Sequence, residues 1–199
     1  HHGAGPAGAW AEAARVGDEA VVVGPDERSP QSRVGIDWHP GTATRFLLAG
    51  DETAAPAICA ILESLPETSQ VDAIIEVPTA ADALPLSIPA GLRVTWLGRG
   101  DGEHGEALIG AVTEWTRAHR GLLEQTAAPR RQKLEEIDVD RDLLWDSPED
   151  GDGEFYAWIA GESATVKTLR RHLVSGCGVD RRRVAFMGYW RRGRVERTE

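Results

Sequence analysis

Lysine, cysteine and long apolar runs are all scarce in this 199-residue chain, and each scarcity excludes a class of protein. Lys133 and Lys167 are the only lysines, so arginine supplies nearly all of the 22 basic residues, against 32 acidic ones. The net charge of −10 argues against nucleic acid as a partner, because phosphate binding requires a basic face. Since no apolar run is long enough to span a bilayer, we expect no transmembrane helix.

The few residues of reactive type show no catalytic or metal-binding pattern. Cys59 and Cys177 lack CxxC spacing, and the six histidines form no HExxH, so a metal site is not expected. Ser163 lacks the second glycine of a GxSxG elbow, and no phosphate-binding GxxxxGK[ST] loop is present. If the protein is an enzyme, a cofactor therefore supplies its chemistry. The first residues do not resemble a signal peptide, which predicts a cytoplasmic location.

Residues 1–40 differ in pattern from the rest of the chain. They predict a helix over residues 9–16, a strand over residues 19–23 and a polar linker from residue 26 onwards. This stretch is too short to bury a core of its own. We therefore expect it to be the end of a larger domain.

Residues 41–199 alternate between strand and helix patterns. This alternation predicts an α/β domain with a mostly parallel sheet flanked by helices. A further helical stretch is predicted over residues 132–137 and an exposed acidic loop over 138–153. The predicted strands cover residues 46–49, 71–77, 92–97, 155–160 and 184–187, and the main helices cover 54–65, 106–119 and 163–174.

The first candidate site follows strand 46–49. Ligands of such sheets bind at the carboxyl ends of the strands, where helix N termini favour anions. Gly50 permits close backbone approach, and the hydroxyl of Thr53 is suited to capping the helix or binding phosphate. Asp51 and Glu52 would repel phosphate, so we expect them to face outward or to cap N–H groups. An ordinary strand-to-helix turn explains these residues equally well.

Two other strand ends carry similar signals. The same pattern, a buried strand followed by a glycine and a helix, recurs at Ala160, Gly161 and Glu162. The glycine leaves space for a flat ring. Arg99 follows the third strand, where an arginine can bind a phosphate monoester such as the 2′-phosphate of NADP. An exposed loop arginine is the alternative interpretation.

The chain ends with two aromatic residues beside two arginines. Such a group can stack on a ring and bind an anion, or it can anchor the edge of the sheet by packing. These residues are Tyr189, Trp190, Arg191 and Arg192.

Together, the motifs resemble one known family. Residues 47–58 (LLAGDETAAPAI) closely resemble a motif of siderophore-interacting proteins, which are ferric-siderophore reductases of the ferredoxin-reductase superfamily. Residues 75–77, 94–99, 160–167 and 188–193 resemble further motifs of that family, in the same order. Residues 2–11, with Gly17–Asp18 and Gly24–Pro25, resemble the end of the family's FAD-binding β-barrel.

The resemblance implies a function and a division of the chain. Residues 1–40 would be the remnant of the FAD-binding barrel plus a linker, and residues 41–199 the NAD(P)H-binding domain of a ferredoxin-reductase-like protein. Electrons would pass from NAD(P)H through FAD to Fe(III) in a ferric siderophore. Because the rest of the barrel is missing, we expect a shortened protein that is inactive alone. A flavin-dependent oxidoreductase with another electron acceptor, or a non-enzymatic ligand-binding module, is the alternative.

The resemblance also assigns residues to ligands. Gly50, Asp51, Glu52 and Thr53 would lie at the NAD(P)H pyrophosphate, and Arg99 at the 2′-phosphate, which favours NADPH. The nicotinamide would lie near Ala160, Gly161 and Glu162, and the FAD pyrophosphate near Gly5, Pro6 and Ala7. The flavin edge or an anionic siderophore would meet Tyr189, Trp190, Arg191 and Arg192. We expect a monomer with a ferric siderophore as its partner.

Overall fold

The structure, a computed structural model, describes residues 6–24, 26, 28, 37–89, 91–139, 141–148 and 153–193. The chain divides into two compact units, residues 1–36 and 37–199. In the first unit, helix α1 (Pro6–Ala13) begins three residues before the predicted helix. The predicted strand over residues 19–23 is wrong, because these residues are in no strand and Val21–Val23 are 91–93% exposed. A strand needs a neighbour for its hydrogen bonds, and the described part of this unit supplies none.

The second unit is built on one six-stranded sheet with the order β3-β2-β1-β5-β6-β4. All neighbouring strands are parallel except β4, which runs antiparallel to β6. The predicted α/β class with a mostly parallel sheet is therefore confirmed. The strands are β1 (Arg45–Gly50), β2 (Gln70–Val77), β3 (Leu92–Gly98), β4 (Trp145–Asp146), β5 (Phe155–Glu162) and β6 (Val184–Trp190).

Helices cover both faces of the sheet, so the central strands are buried on both sides. Leu47 of β1 belongs to the core that contains Leu108, whereas its neighbour Leu48 belongs to the core that contains Ile58. This alternation explains the continuous apolar runs of the central strands. None of the described helices is both long and apolar enough to cross a membrane. The helices are α2 (Ala55–Ser64), α3 (Glu106–Ala118), α4 (Arg120–Gln125) and α5 (Ser163–Arg170), which continues as a π-helical segment, Arg171–Gly176.

Two predictions for the segment that leads into β4 are wrong. Residues 132–137 are not helical, and side chains of α5 bind two of their carbonyl groups. Lys167 Nζ donates to the carbonyl of Ile137 at 2.5 Å, and Arg170 Nη1 donates to that of Glu135 at 3.3 Å. The stretch 138–153 is not simply an exposed loop either, since it contains β4 and the fully buried Leu144.

The parallel arrangement brings the carboxyl ends of five strands to one edge of the sheet. Those ends are Gly50, Val77, Gly98, Glu162 and Trp190. The fold therefore gathers three of the sequence-predicted strand-end motifs, and the C-terminal aromatic group, along a common edge.

Candidate functional site

Asp51 is the centre of the site, and its carboxylate joins the ends of β1, β5 and β6. The residue is 1% exposed. Its Oδ1 accepts hydrogen bonds from the backbone N–H and the hydroxyl of Thr53, at 2.9 and 2.5 Å. Its Oδ2 accepts from the backbone N–H of Glu162 at 2.8 Å and from Trp190 Nε1 at 2.9 Å. Asp51 therefore faces inward and caps N–H groups, the second of the two orientations expected.

Two glycines at this edge lack a side chain, and other atoms of the protein occupy the space that a side chain would need. Gly161 has a φ of +142°, and a Cβ there would lie 2.6 Å from Asp51 Oδ2. A Cβ on Gly50 would lie 2.6 Å from the carbonyl oxygen of Ala160. The space at Gly161 that was expected to hold a flat ring is thus occupied in part by the Asp51 carboxylate.

Arg99 lies in a network with two acidic side chains. Its guanidinium donates to both oxygens of Glu52, at 2.9 and 3.2 Å, and to Glu76 Oε1 at 2.9 Å. Burial is the strongest single influence on the pKa of Glu52 and acts to raise it, but the hydrogen bond and charge of Arg99, a backbone hydrogen bond and the nearby His104 together outweigh burial and hold that pKa below its usual value. The same pairing with Glu52, and secondarily with Glu76, raises the pKa of Arg99. Arg99 is therefore a fixed cation rather than an exposed loop residue.

Carboxylates also occupy the N termini of the helices at this edge. Glu76, which is fully buried, accepts from the backbone N–H groups of Gly105 and Leu108 at the start of α3. Glu162 caps α5 by accepting from two backbone N–H groups of its first turn. Asp51 binds the N–H of Thr53 just before α2. A helix N terminus attracts negative charge, and here the protein supplies that charge from its own side chains.

His104 lies beside these carboxylates without a hydrogen bond. Its side chain is nine-tenths buried, and neither ring nitrogen has a hydrogen-bond partner among the described residues. Its Nε2 lies 3.8 Å from Asp51 Oδ2 and 3.6 Å from Glu52 Oε2. The ring meets that of Trp190 edge-on, with the centroids 5.0 Å apart.

The residues at the end of β6 have two different roles: one packs against the sheet, and the others contact the residues of the site. Tyr189 stacks on Trp145 at 5.8 Å and meets Trp158 edge-on at 6.2 Å, so it anchors the sheet by packing. Trp190, one position along the strand, binds Asp51 instead. Arg192 pairs with Glu103 at 2.7 Å at the exposed rim of the site.

The structure thus gathers most of the predicted positions of the second unit at this edge. Gly5 lies outside the described residues, and Pro6 and Ala7 begin α1 in the other unit. Arg191 is close to the site in sequence, and its Nη1 is buried with no hydrogen-bond partner in the described part of the chain. The residues brought together are Gly50, Asp51, Glu52, Thr53, Arg99, Ala160, Gly161, Glu162 and Trp190.

Two residues of the site were missed at the level of sequence. Glu76 sits at the carboxyl end of β2, and its position one residue before the strand's end was a usable signal. His104 has no such signal, because it joins Asp51 and Glu52 only through the fold.

Comparison with known proteins gives consistent matches. A family model described as "Siderophore-interacting protein" matches residues 43–193. An uncharacterized protein of Mycobacterium tuberculosis is 32% identical over 194 residues, covering 96% of this chain and 57% of the relative. The ferric vibriobactin reductase ViuB of Vibrio cholerae is 28% identical over 196 residues, covering 98% of this chain and 58% of ViuB. The chain thus spans just over half the length of these relatives.

A solved structure agrees with these matches. The siderophore-interacting protein SipS from Aeromonas hydrophila superposes with a TM-score of 0.60 at 28% identity. The superposition covers 98% of this chain and 60% of SipS.

Proposed function

The chain belongs to the siderophore-interacting protein family, and from this premise we propose that the complete protein reduces ferric siderophores with electrons passed from NAD(P)H through FAD. In this proposal, residues 41–199 hold NAD(P)H and residues 1–40 belong to an FAD-binding domain. The observation that carries it is the convergence of the family's motifs on one sheet edge, in a chain 28% identical to a ferric vibriobactin reductase. We further propose a monomer located in the cytoplasm.

The chemistry of this edge can be compared with the parts of a nicotinamide nucleotide. Carboxylates accept hydrogen bonds, and ribose hydroxyls and the nicotinamide carboxamide donate them. Glu52 and Glu162 therefore fit the neutral parts of the nucleotide. The phosphates fit less readily, because the helix N termini already hold carboxylates and Arg99 already pairs with two of them.

Particular residues are assigned roles in this proposal. Thr53, with the backbone of the turn from Gly50 to Thr53, would bind the pyrophosphate, and Arg99 the 2′-phosphate of NADPH. Ala160–Glu162 would line the nicotinamide, while Trp190 and its two arginine neighbours would face the flavin or an anionic siderophore. When bound, the nicotinamide supplies a hydride and the flavin supplies single electrons for Fe(III). The chain contributes positioning and a fixed electrostatic environment.

The proposal is tested by reduction with the complete protein. We expect a yellow protein that oxidises NADPH when a ferric siderophore is added, with Fe(II) trapped by a coloured chelator. A colourless protein, or NADPH oxidation that ferric siderophores do not stimulate, contradicts the proposal. If artificial acceptors are reduced and ferric siderophores are not, the protein is a flavin-dependent oxidoreductase with another acceptor.

Arg99 offers a test of nucleotide choice. Arg99→Ala should weaken NADPH binding about tenfold more than NADH binding, because a charge-assisted pair with the 2′-phosphate is lost. Arg93→Ala is the matched control, since Arg93 also pairs with a carboxylate, Asp72 at 2.7 Å, but on the exposed side of β3. Dissociation constants from fluorescence titration give the comparison. Equal losses for both nucleotides in Arg99→Ala would refute the 2′-phosphate role.

Thr53 offers a test of the pyrophosphate position. Thr53→Ala should weaken both nucleotides by about fivefold or more, since it removes a hydroxyl at the turn and a hydrogen bond that positions Asp51. Thr113→Ala is the control. Thr113 lies within α3 and not in the turn from Gly50 to Thr53, so this variant should leave both affinities unchanged. Unchanged affinity in Thr53→Ala would place the pyrophosphate elsewhere.

A further inference from the structure

The carboxyl edge of the sheet has an excess of negative charge. Asp51, Glu52 and Glu76 are all buried or nearly so, and their side chains are at most 13% exposed. Arg99 is the one guanidinium bound to this group in the described residues, and Glu52 and Glu76 share it. Backbone N–H groups and Trp190 stabilise Asp51 and Glu76 by hydrogen bonds, and a bound cation would add a compensating charge that hydrogen bonds do not supply.

His104 supplies a second and independent sign of a ligand. Buried polar atoms nearly always have hydrogen-bond partners, yet within the described part of the chain both ring nitrogens of His104 have none. The ring is nine-tenths buried and its Nε2 points toward Asp51 and Glu52. A neutral imidazole nitrogen beside two carboxylate oxygens is a donor set for a metal ion.

We propose that His104, Asp51 and Glu52 form a binding site for ferrous iron, which receives the Fe²⁺ that reduction of a ferric siderophore releases. The identity of the ion rests on the proposed reductase function, whereas the metal site itself rests only on the geometry. Binding involves coordination alone, with no electron transfer at this site.

The spacing of the donor atoms suits a first-row divalent metal. One donor atom from each residue can be chosen so that all lie within 4.8 Å of one another, with the two nitrogen–oxygen separations at 3.6 and 3.8 Å. Metal–ligand bonds of about 2.0–2.2 Å place neighbouring ligand atoms about 3.0–3.5 Å apart, so the three side chains must move closer together when the ion binds. A donor set of one imidazole and two carboxylates suits iron, manganese or zinc better than magnesium or calcium, whose ligands are oxygen atoms.

The carboxylates are also oriented by outer hydrogen bonds, as metal ligands commonly are. Arg99 Nη2 holds Glu52 Oε1 at 2.9 Å, while the contact of Arg99 to Oε2, the oxygen facing His104, is longer at 3.2 Å. Asp51 Oδ2 is held by Trp190 and by the backbone of Glu162. Both ligand oxygens are thus oriented before any ion binds.

The site has a route to its surroundings. His104 lines a pocket of about 280 Å³ together with Glu162 and Arg192. An ion can approach His104 through this pocket without unfolding any of the strands. Its charge would also reduce the repulsion between Asp51, Glu52 and a nearby pyrophosphate.

The test is a direct binding measurement on the 199-residue chain, without any reductase assay. Anaerobic calorimetry with Fe²⁺ should give one equivalent bound, and His104→Gln should weaken that binding by about tenfold or more. His119→Gln is the matched control. His119 also lies near a carboxylate, 3.7 Å from Asp72, but its Nδ1 is bonded to the carbonyl of Trp115. This control should leave the affinity for Fe²⁺ unchanged.

Two further measurements do not depend on the variants. Mg²⁺ should bind far more weakly than Fe²⁺, and pulsed electron paramagnetic resonance of bound Mn²⁺ should detect one imidazole nitrogen. The site is refuted if Fe²⁺ does not bind, if His104→Gln binds it as the wild type does, if Mg²⁺ binds equally well, or if no imidazole nitrogen is detected. Fe²⁺ binding without ferric reduction by the complete protein would retain the metal site and overturn only the reductase function.

Discussion

The two ends of helix α3 are each held by a carboxylate of strand β2, and the two ends differ in how completely they are satisfied. Glu76 and Asp72 are four residues apart on the strand, so they project from the same face. Glu76 is fully buried and binds Arg99 and two backbone N–H groups at the start of α3. Asp72 binds Arg93 and Trp115 Nε1 near the other end of the helix, and its side chain is 19% exposed.

A histidine lies near each end of α3, and the contacts of the two histidines differ more than those of the two carboxylates. His119 stacks on Trp115 at 4.3 Å and is bonded through Nδ1. His104 is more deeply buried than His119, yet neither of its ring nitrogens has a hydrogen-bond partner in the described residues. The polar groups at the Asp72 end are paired within the protein, whereas the end with Glu76 contains the unpaired ring nitrogens of His104. Because buried polar groups are normally paired, this difference is the reason that we propose a ligand at the Glu76 end.

The two ends should differ most in how much the free energy of unfolding falls when the carboxylate at each end is removed. Glu76→Ala should lower the free energy of unfolding by about 3 kcal/mol, because it leaves two backbone N–H groups and part of Arg99 unpaired in the interior. Asp72→Ala should cost about 1 kcal/mol, since Arg93 is 72% exposed and water replaces its partner. Urea denaturation measures both. Equal losses would contradict the greater structural role of Glu76.

Two glycines, Gly105 just before α3 and Gly110 within it, extend the comparison along the helix. Gly105 has a φ of +83°, and a Cβ there would collide with the side chain of Thr165, so Gly105→Ala should destabilise by about 2 kcal/mol. Gly110 is exposed in the same helix with open space around it, so Gly110→Ala should stabilise by about 0.5–1 kcal/mol. Thermal unfolding of the two variants should shift in opposite directions. If Gly105→Ala raises the stability of the protein, the close contact between Gly105 and Thr165 at the start of α3 is refuted.

The smallest effect is in the pH dependence of the Asp72 end. Burial acts to raise the pKa of Asp72, but hydrogen bonds from Arg93 and Trp115 outweigh it and hold the pKa below its usual value. Because the folded pKa is the lower one, this group stabilises the protein above the unfolded value of about 3.9 and loses that contribution as the pH falls through the folded value. The stability difference between wild type and Asp72→Asn should therefore be larger at pH 6 than at pH 3. A difference that does not change with pH would contradict the lowered pKa.

Much of the fold could be predicted from the sequence because local signals and burial agree. The apolar runs at Phe46–Ala49 and Phe155–Ala160 are buried on both faces, as continuous apolar strands of parallel sheets are. The helix predicted over residues 132–137 is absent, and this segment is instead held against α5 by hydrogen bonds from Lys167 and Arg170 to two of its carbonyl groups. Such long-range contacts leave no trace in local sequence.

The sequence placed the strand-end motifs at Gly50 and Gly161 at one edge of the sheet, because parallel strands place their carboxyl ends together. It did not predict how the charged side chains at that edge pair with one another. The inward orientation of Asp51 depends on Gly161 having no Cβ, and the pairing of Arg99 depends on Glu76 of a different strand. His104 is distant from Asp51 in the sequence, and only the fold brings its Nε2 to within 3.8 Å of the Asp51 carboxylate.

The proposal that this edge binds NAD(P)H is tested most directly by mapping the nucleotide on the protein. In ¹⁵N-labelled chain titrated with NADPH, we expect saturable changes in amide chemical shift at Gly50–Thr53 and Gly161–Ser163. The amides around His119 and Asp72 should remain unchanged. Absence of saturable changes, or changes confined to the Asp72 end of α3, would contradict a nucleotide site at the carboxyl edge of the sheet.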